Sequence, residues 1–136
     1  MKKYFLAIVL LGVFVAFAQN EPAKQKTKIL PAYAYVFLRD SCTQMDIVFT
    51  KGGSMSLEGR NIGYFTSFIS NAPATPKVGA VRDALIMWVK NGREALSGDI
   101  YFTSDTSAYI QFQMDSNTFV NSLTTQGAIF MQKRGR

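Results

Sequence analysis

Few side chains here could do chemistry, and the two commonest reagents are scarce. The chain of 136 residues has no histidine and one cysteine, Cys42. Without an imidazole no side chain titrates near neutrality unaided, and neither a Ser-His-Asp nor a Cys-His site can form within one chain. The same shortage removes the usual ligand sets for zinc. Carboxylates could still work as an acid and base pair. Those from Ile29 to Gln132 are Asp40, Asp46, Glu58, Asp83, Glu94, Asp99, Asp105 and Asp115. Asp40, Asp105 and Asp115 fall at turns or strand ends, and nothing sets Glu58 opposite Glu94. Calcium-loop spacing, a glycine-rich phosphate loop and a dinucleotide fingerprint are all missing. The expectation is a protein that is not an enzyme, with no catalytic residue, no cofactor and no metal. Cys42 has no internal disulfide partner and is expected to be a partly buried, unreactive thiol.

Recognition chemistry is better represented. Asn91-Gly92 lies between two apolar-rich runs, the sequence of a type I′ hairpin, whose central residues need positive φ. A two-residue loop there pairs Lys90 with Arg93, Trp88 with Ala95 and Ile86 with Ser97. A further turn near Asp105 pairs Ile100 with Ile110. Side chains alternate across a strand, so this register sorts them onto two faces. Leu85, Met87, Val89, Leu96, Ile100, Phe102, Ile110, Phe112 and Met114 form a core face. Arg82, Ile86, Trp88, Ala95, Ser97, Asp99, Tyr101, Tyr109, Gln111 and Gln113 form a mixed face. The expected partner-binding residues are Trp88, Tyr101, Tyr109, Arg82 and Gln111, where flat rings stand beside hydrogen-bonding groups suited to a sugar or a peptide.

The elements that must position these residues follow from pattern. Ala32–Arg39 is rich in aromatic and β-branched residues and reads as a strand, with Gln44–Thr50 as its hairpin partner. Lys51-Gly52-Gly53 is a turn before a short strand, Ser54–Glu58. In Asn61–Ser70, Ile62, Phe65, Phe68 and Ile69 recur at helical spacing, and the prolines Pro73 and Pro76 end that helix. Phe119, Val120 and Leu123 suit a short helix capped by Asp115 or Ser116, with a strand as the close rival. Ala128–Gln132 reads as a last strand. The fold class is α+β: a small single domain, mainly antiparallel sheet with one or two short helices packed on it. An all-β half-barrel or sandwich is the alternative.

The ends of the chain speak to location. Lys2 and Lys3 precede an apolar run, Tyr4–Phe17, and Ala16-Phe17-Ala18 is a small-x-small cleavage site. The run has about 14 residues, whereas a membrane-spanning helix needs roughly 20. It reads as a signal peptide cut after Ala18, giving a periplasmic or extracellular protein with no integral membrane span. Residues 19–28 then form a flexible basic leader, 29–132 the single globular domain, and 133–136 a basic tail. The net charge of +6 belongs to the ends, because residues 29–132 hold seven basic and eight acidic side chains. No basic face on the folded body points to nucleic acid. The expectation is an exported binding protein whose partner at the cell envelope or beyond is a protein, a glycan or a lipid. A carrier of a small apolar ligand in a sheet–helix pocket is the alternative.

Overall fold

A computed structural model describes residues 27–103 and 107–135 of the chain. In order these are α1 (Ala32–Asp40), β1 (Gln44–Phe49), β2 (Ser54–Glu58), α2 (Arg60–Thr66), β3 (Ile69–Pro73), β4 (Ala84–Lys90), β5 (Arg93–Tyr101), β6 (Tyr109–Met114), β7 (Asn117–Leu123) and α3 (Thr125–Arg134). The strands form one seven-stranded antiparallel sheet in the order β2-β1-β4-β5-β6-β7-β3. This is an α+β domain dominated by its sheet, as the sequence pattern predicts, with three helices among the described residues. The expected signal peptide, residues 1–18, and most of the expected leader lie outside the described residues. No helix among the described residues is long and apolar enough to cross a membrane.

All three helices cover one face. Ala34 and Leu38 of α1, Ile62 and Phe65 of α2 and Met131 of α3 pack with Met45, Ile47, Ile86, Trp88, Ile100, Ile110 and Phe112 of the sheet in one apolar core. Burying such side chains supplies about 25 cal/mol per Å² of apolar surface removed from water. Rings of Phe65, Phe68 and Phe130 meet at centroid distances of 5.6–5.9 Å and lock α3 against α2. Gly127 makes this approach feasible: a Cβ there would stand 2.7 Å from Cβ of Phe68. The opposite, outer face of the sheet carries Asp46, Val48, Leu85, Met87, Ser97, Asp99, Tyr101 and Gln111.

Three segments adopt the other kind of structure from the one their composition predicts, and Ile69 and Ser70, expected in the helix from Asn61, begin β3 instead. Ala32–Arg39 is helical rather than a strand, because Ala34 and Leu38, four residues apart, both reach the core. Tertiary burial of one face outweighs the strand preference of Tyr33, Tyr35, Val36 and Phe37. At the C-terminal end, Asn117–Leu123 takes the strand option. Asp115 and Ser116, with φ of 50° and 64°, are the centre of a tight hairpin turn and not a helix cap. Ala128–Gln132 then belongs to α3, which starts at Thr125 and is capped by Thr124, whose Oγ1 accepts the Gly127 N–H at 3.1 Å. The helix extends through Lys133 and Arg134, where cations suit its negative end. Lys28 is likewise part of the fold: its carbonyl accepts the Val120 N–H at 2.7 Å.

The Asn91-Gly92 turn is present, with φ of 52° and 73°. Its register holds for two pairs only, Lys90 with Arg93 and Val89 with Glu94. Trp88 then pairs with Leu96, because Ala95 is the extra residue of a β-bulge. Past the bulge β4 is displaced by one residue from the expected pairing, which exchanges its two faces. Ile86 and Trp88 are therefore core residues, and Leu85, Met87 and Val89 lie half-buried outside. The predicted faces of β5 and β6 hold, and Ile100 pairs with Ile110 as expected.

Trp88 has 0% exposure and packs against Phe112 with ring centroids 5.8 Å apart and planes tilted by 41°. Trp88→Ala should lower unfolding free energy by about 3–5 kcal/mol through cavity formation. Tyr101→Ala should cost roughly 1 kcal/mol, the value of an aromatic pair at a surface. Urea denaturation followed by circular dichroism measures both, and equal losses would contradict this division into core and outer face.

Candidate cleft on the outer face

The sheet order imposes a long detour on the chain. β3 lies at the far edge beside β7, while β4 sits near the opposite edge beside β1. Residues 74–83 must therefore pass four inter-strand spacings, about 19 Å, to enter β4. Ten residues are long enough for this span. The helices occupy the core face, and the segment passes on the outer side, past the tips of side chains from β6 and β5.

Three attachments fix its path. The Lys77 N–H donates to the Tyr109 hydroxyl at 3.1 Å. Arg82 Nη1 donates to Asp99 Oδ1 at 2.9 Å. Asp83 Oδ2 accepts the Phe102 and Thr103 N–H groups at 2.7 and 2.9 Å, and the Thr103 hydroxyl donates to Asp83 Oδ1. The backbone joins in, since Asp83 N–H donates to Ile100 and Thr50 N–H to Asp83, each at 2.9 Å. A turn with Gly79 at φ 74° lies between these anchors.

Between this strap and the sheet lies a cleft of about 520 Å³. Tyr101 and Tyr109 are direct cross-strand partners whose rings stack at 4.7 Å and 19°. Both line the cleft, together with Arg82, Asp83, Lys77 and Val78 of the strap, Thr50 and Lys51 beside β1, and Thr103 and Ser107 beyond the strand ends. Tyr109 is buried beneath the strap, while Tyr101 stays partly open. Burial, followed by the nearby Asp99 charge, raises the Tyr101 pKa above its ordinary value. Its hydroxyl therefore remains a hydrogen-bond donor well into the alkaline range.

Three of the five residues expected to contact a partner, Arg82, Tyr101 and Tyr109, thus meet in one concavity. Gln111 lies on the same outer face, cross-strand from Asp99, but does not line the cleft. Trp88 is not with them, because the bulge at Ala95 turns it into the core, where its indole N–H has no hydrogen-bond partner among the described residues. Sequence reasoning missed Lys51, Lys77 and Val78. The lysines border glycine- and proline-containing turns, and nothing in their spacing shows that the topology folds both turns onto the tyrosine pair. Cys42 is buried, and that burial raises its thiol pKa, which favours the protonated form.

The raised pKa of Tyr101 has a stability consequence of definite sign. Folding favours its protonated form, so this contribution is complete below the unfolded value of roughly 10. It is lost as pH rises through the higher folded value. Tyr101→Phe should therefore lose less stability than the parent between neutral and strongly alkaline pH, by urea midpoints at each pH. Equal losses would show that the phenol does not titrate as described. No protein-family model, curated protein or solved structure matches this chain.

Proposed function

We propose that this chain is an exported, non-catalytic binding protein that holds a macromolecular partner outside the cytoplasm. The observation that carries this reading is the meeting of Arg82, Tyr101 and Tyr109 in one strap-bounded cleft. A partly open aromatic ring, a guanidinium with spare donors and a pre-formed concavity are the ingredients of a recognition site. Export is supported by the Lys2/Lys3 start, the apolar run Tyr4–Phe17 and the Ala16-Phe17-Ala18 site. A non-catalytic role is supported by a sequence without histidine and with one buried thiol.

Photo-crosslinking in the producing cell tests location and site together. A benzophenone amino acid at Val78, on the strap, should yield a discrete adduct whose protein moiety begins at Gln19. The same probe at Ser54, exposed on edge strand β2, should not. Arg82→Ala combined with Tyr101→Ala should abolish the Val78 adduct while the protein still unfolds cooperatively. Adducts of equal yield from both positions, or none from Val78, would sink the assignment of the cleft. A moiety that retains Met1 would sink export by cleavage.

A further inference from the structure

Charge and hydrogen-bond capacity around the cleft are unbalanced in one direction. Among the described residues, Lys51, Lys77 and Arg82 line the cleft with the carboxylate of Asp83, and Asp99 pairs with Arg82 from beside it, so cations exceed carboxylates by one. The Asp83 carboxylate is occupied, accepting from the Phe102 and Thr103 N–H groups and the Thr103 hydroxyl. Arg82 commits one nitrogen to Asp99, and its guanidinium has further N–H groups to offer. Lys51 and Lys77 form no ion pair among the described residues. Charged donors therefore outnumber carboxylates among the described lining residues, while the hydroxyls of Thr50, Tyr101 and Ser107 keep acceptor capacity. Cations in a concave, partly dry site concentrate positive potential there.

The strap adds an apolar component. Val78 is 100% exposed and Val81 77% exposed, and both line the cleft. A neutral glycan is a poor match, because it carries no charge to meet Lys51 and Lys77 and little apolar surface to cover Val78 and Val81. A polyanionic sugar would use the lysines but leave both valines against water.

We propose that the cleft takes an acidic peptide segment of a partner protein, its carboxylates meeting Lys51 and Lys77 and its apolar side chains covering Val78 and Val81. This rests on the cleft being the binding site. The segment lies along the strap with the partly open ring of Tyr101 beneath it. Arg82, already held by Asp99, presents its remaining donors at a fixed place. The pairs are half-solvated, so each contributes modestly and weakens as ionic strength rises.

The mature chain can be titrated with short fluorescent peptides alternating Glu with Leu or Gln with Leu, by anisotropy and by amide NMR shifts of Lys77–Asp83. The Glu–Leu peptide should bind about tenfold more tightly than the Gln–Leu peptide, as expected for two modest charge pairs. Lys51→Gln with Lys77→Gln should remove that difference and leave Gln–Leu binding unchanged. Val78→Ser with Val81→Ser should weaken both peptides. All four substitutions lie on exposed positions, and unchanged urea midpoints verify the fold. If both peptides shift the strap equally and the lysine variant behaves as the parent, the acidic preference is wrong while the cleft stands. Polygalacturonate displacing the Glu–Leu peptide with tighter binding would replace the peptide by an acidic polymer and overturn the proposal. If no peptide moves the strap and the Val78 crosslink is also absent, the cleft assignment falls with it.

Discussion

The chain must cross the sheet twice, once from edge to edge and once from an edge back over four strand spacings to β4, and it has only one free face for the second journey. The first crossing, from β2 to β3, is made by α2 across the core face, where Ile62 and Phe65 are buried. Once α1 and α3 join it there, that face is full. The return from β3 to β4 is confined to the outer side. Asp83 then ends the journey by binding the first backbone N–H groups after β5 through its side chain, and Ile100 through its own N–H. The strap, the burial of Tyr109 and the cleft all follow from this confinement.

Burial of Tyr109 in turn explains why the site is asymmetric. A stacked tyrosine pair on an open sheet face would present two equivalent rings. Here Lys77 donates its N–H to the Tyr109 hydroxyl, and the strap lies over that ring, leaving Tyr101 as the accessible one. The neighbouring bulge has the complementary effect. By turning Trp88 inward it supplies the core with its largest side chain and leaves Leu85, Met87 and Val89 outside. The apolar run of β4 is continuous, so either face could have served as the buried one.

That continuity is why the sequence was readable in some places and silent in others. Asn91-Gly92 announces its own turn because few residue pairs accept positive φ twice, and Ile100 with Ile110 follows from alternation on β5 and β6. The α2 helix is legible from the spacing of Ile62 and Phe65. In Leu85–Val89 there is no polar residue to reveal the phase, and one unpaired Ala95 decides it. Tyr33–Phe37 carries strand-forming side chains, yet only the position of Leu38 over the sheet makes it helical. Arg82, Tyr101 and Tyr109 were found because local pairing brings two of them together and the third borders β4. Lys51 and Lys77 were not, since their meeting depends on strand order, which a single sequence does not encode locally.

The strap has one further consequence, which concerns evolvability and the entropy of association. It is pinned at Lys77 by a tyrosine and at Arg82 and Asp83 by two carboxylate contacts, while Val78–Val81 between the pins touches little of the sheet. Folding has already removed the conformational freedom that a loose loop would surrender on meeting a ligand. Side chains between the pins can nonetheless change without disturbing register or core. A segment rigid in backbone and free in sequence is well suited to acquiring new specificities on an unchanged scaffold.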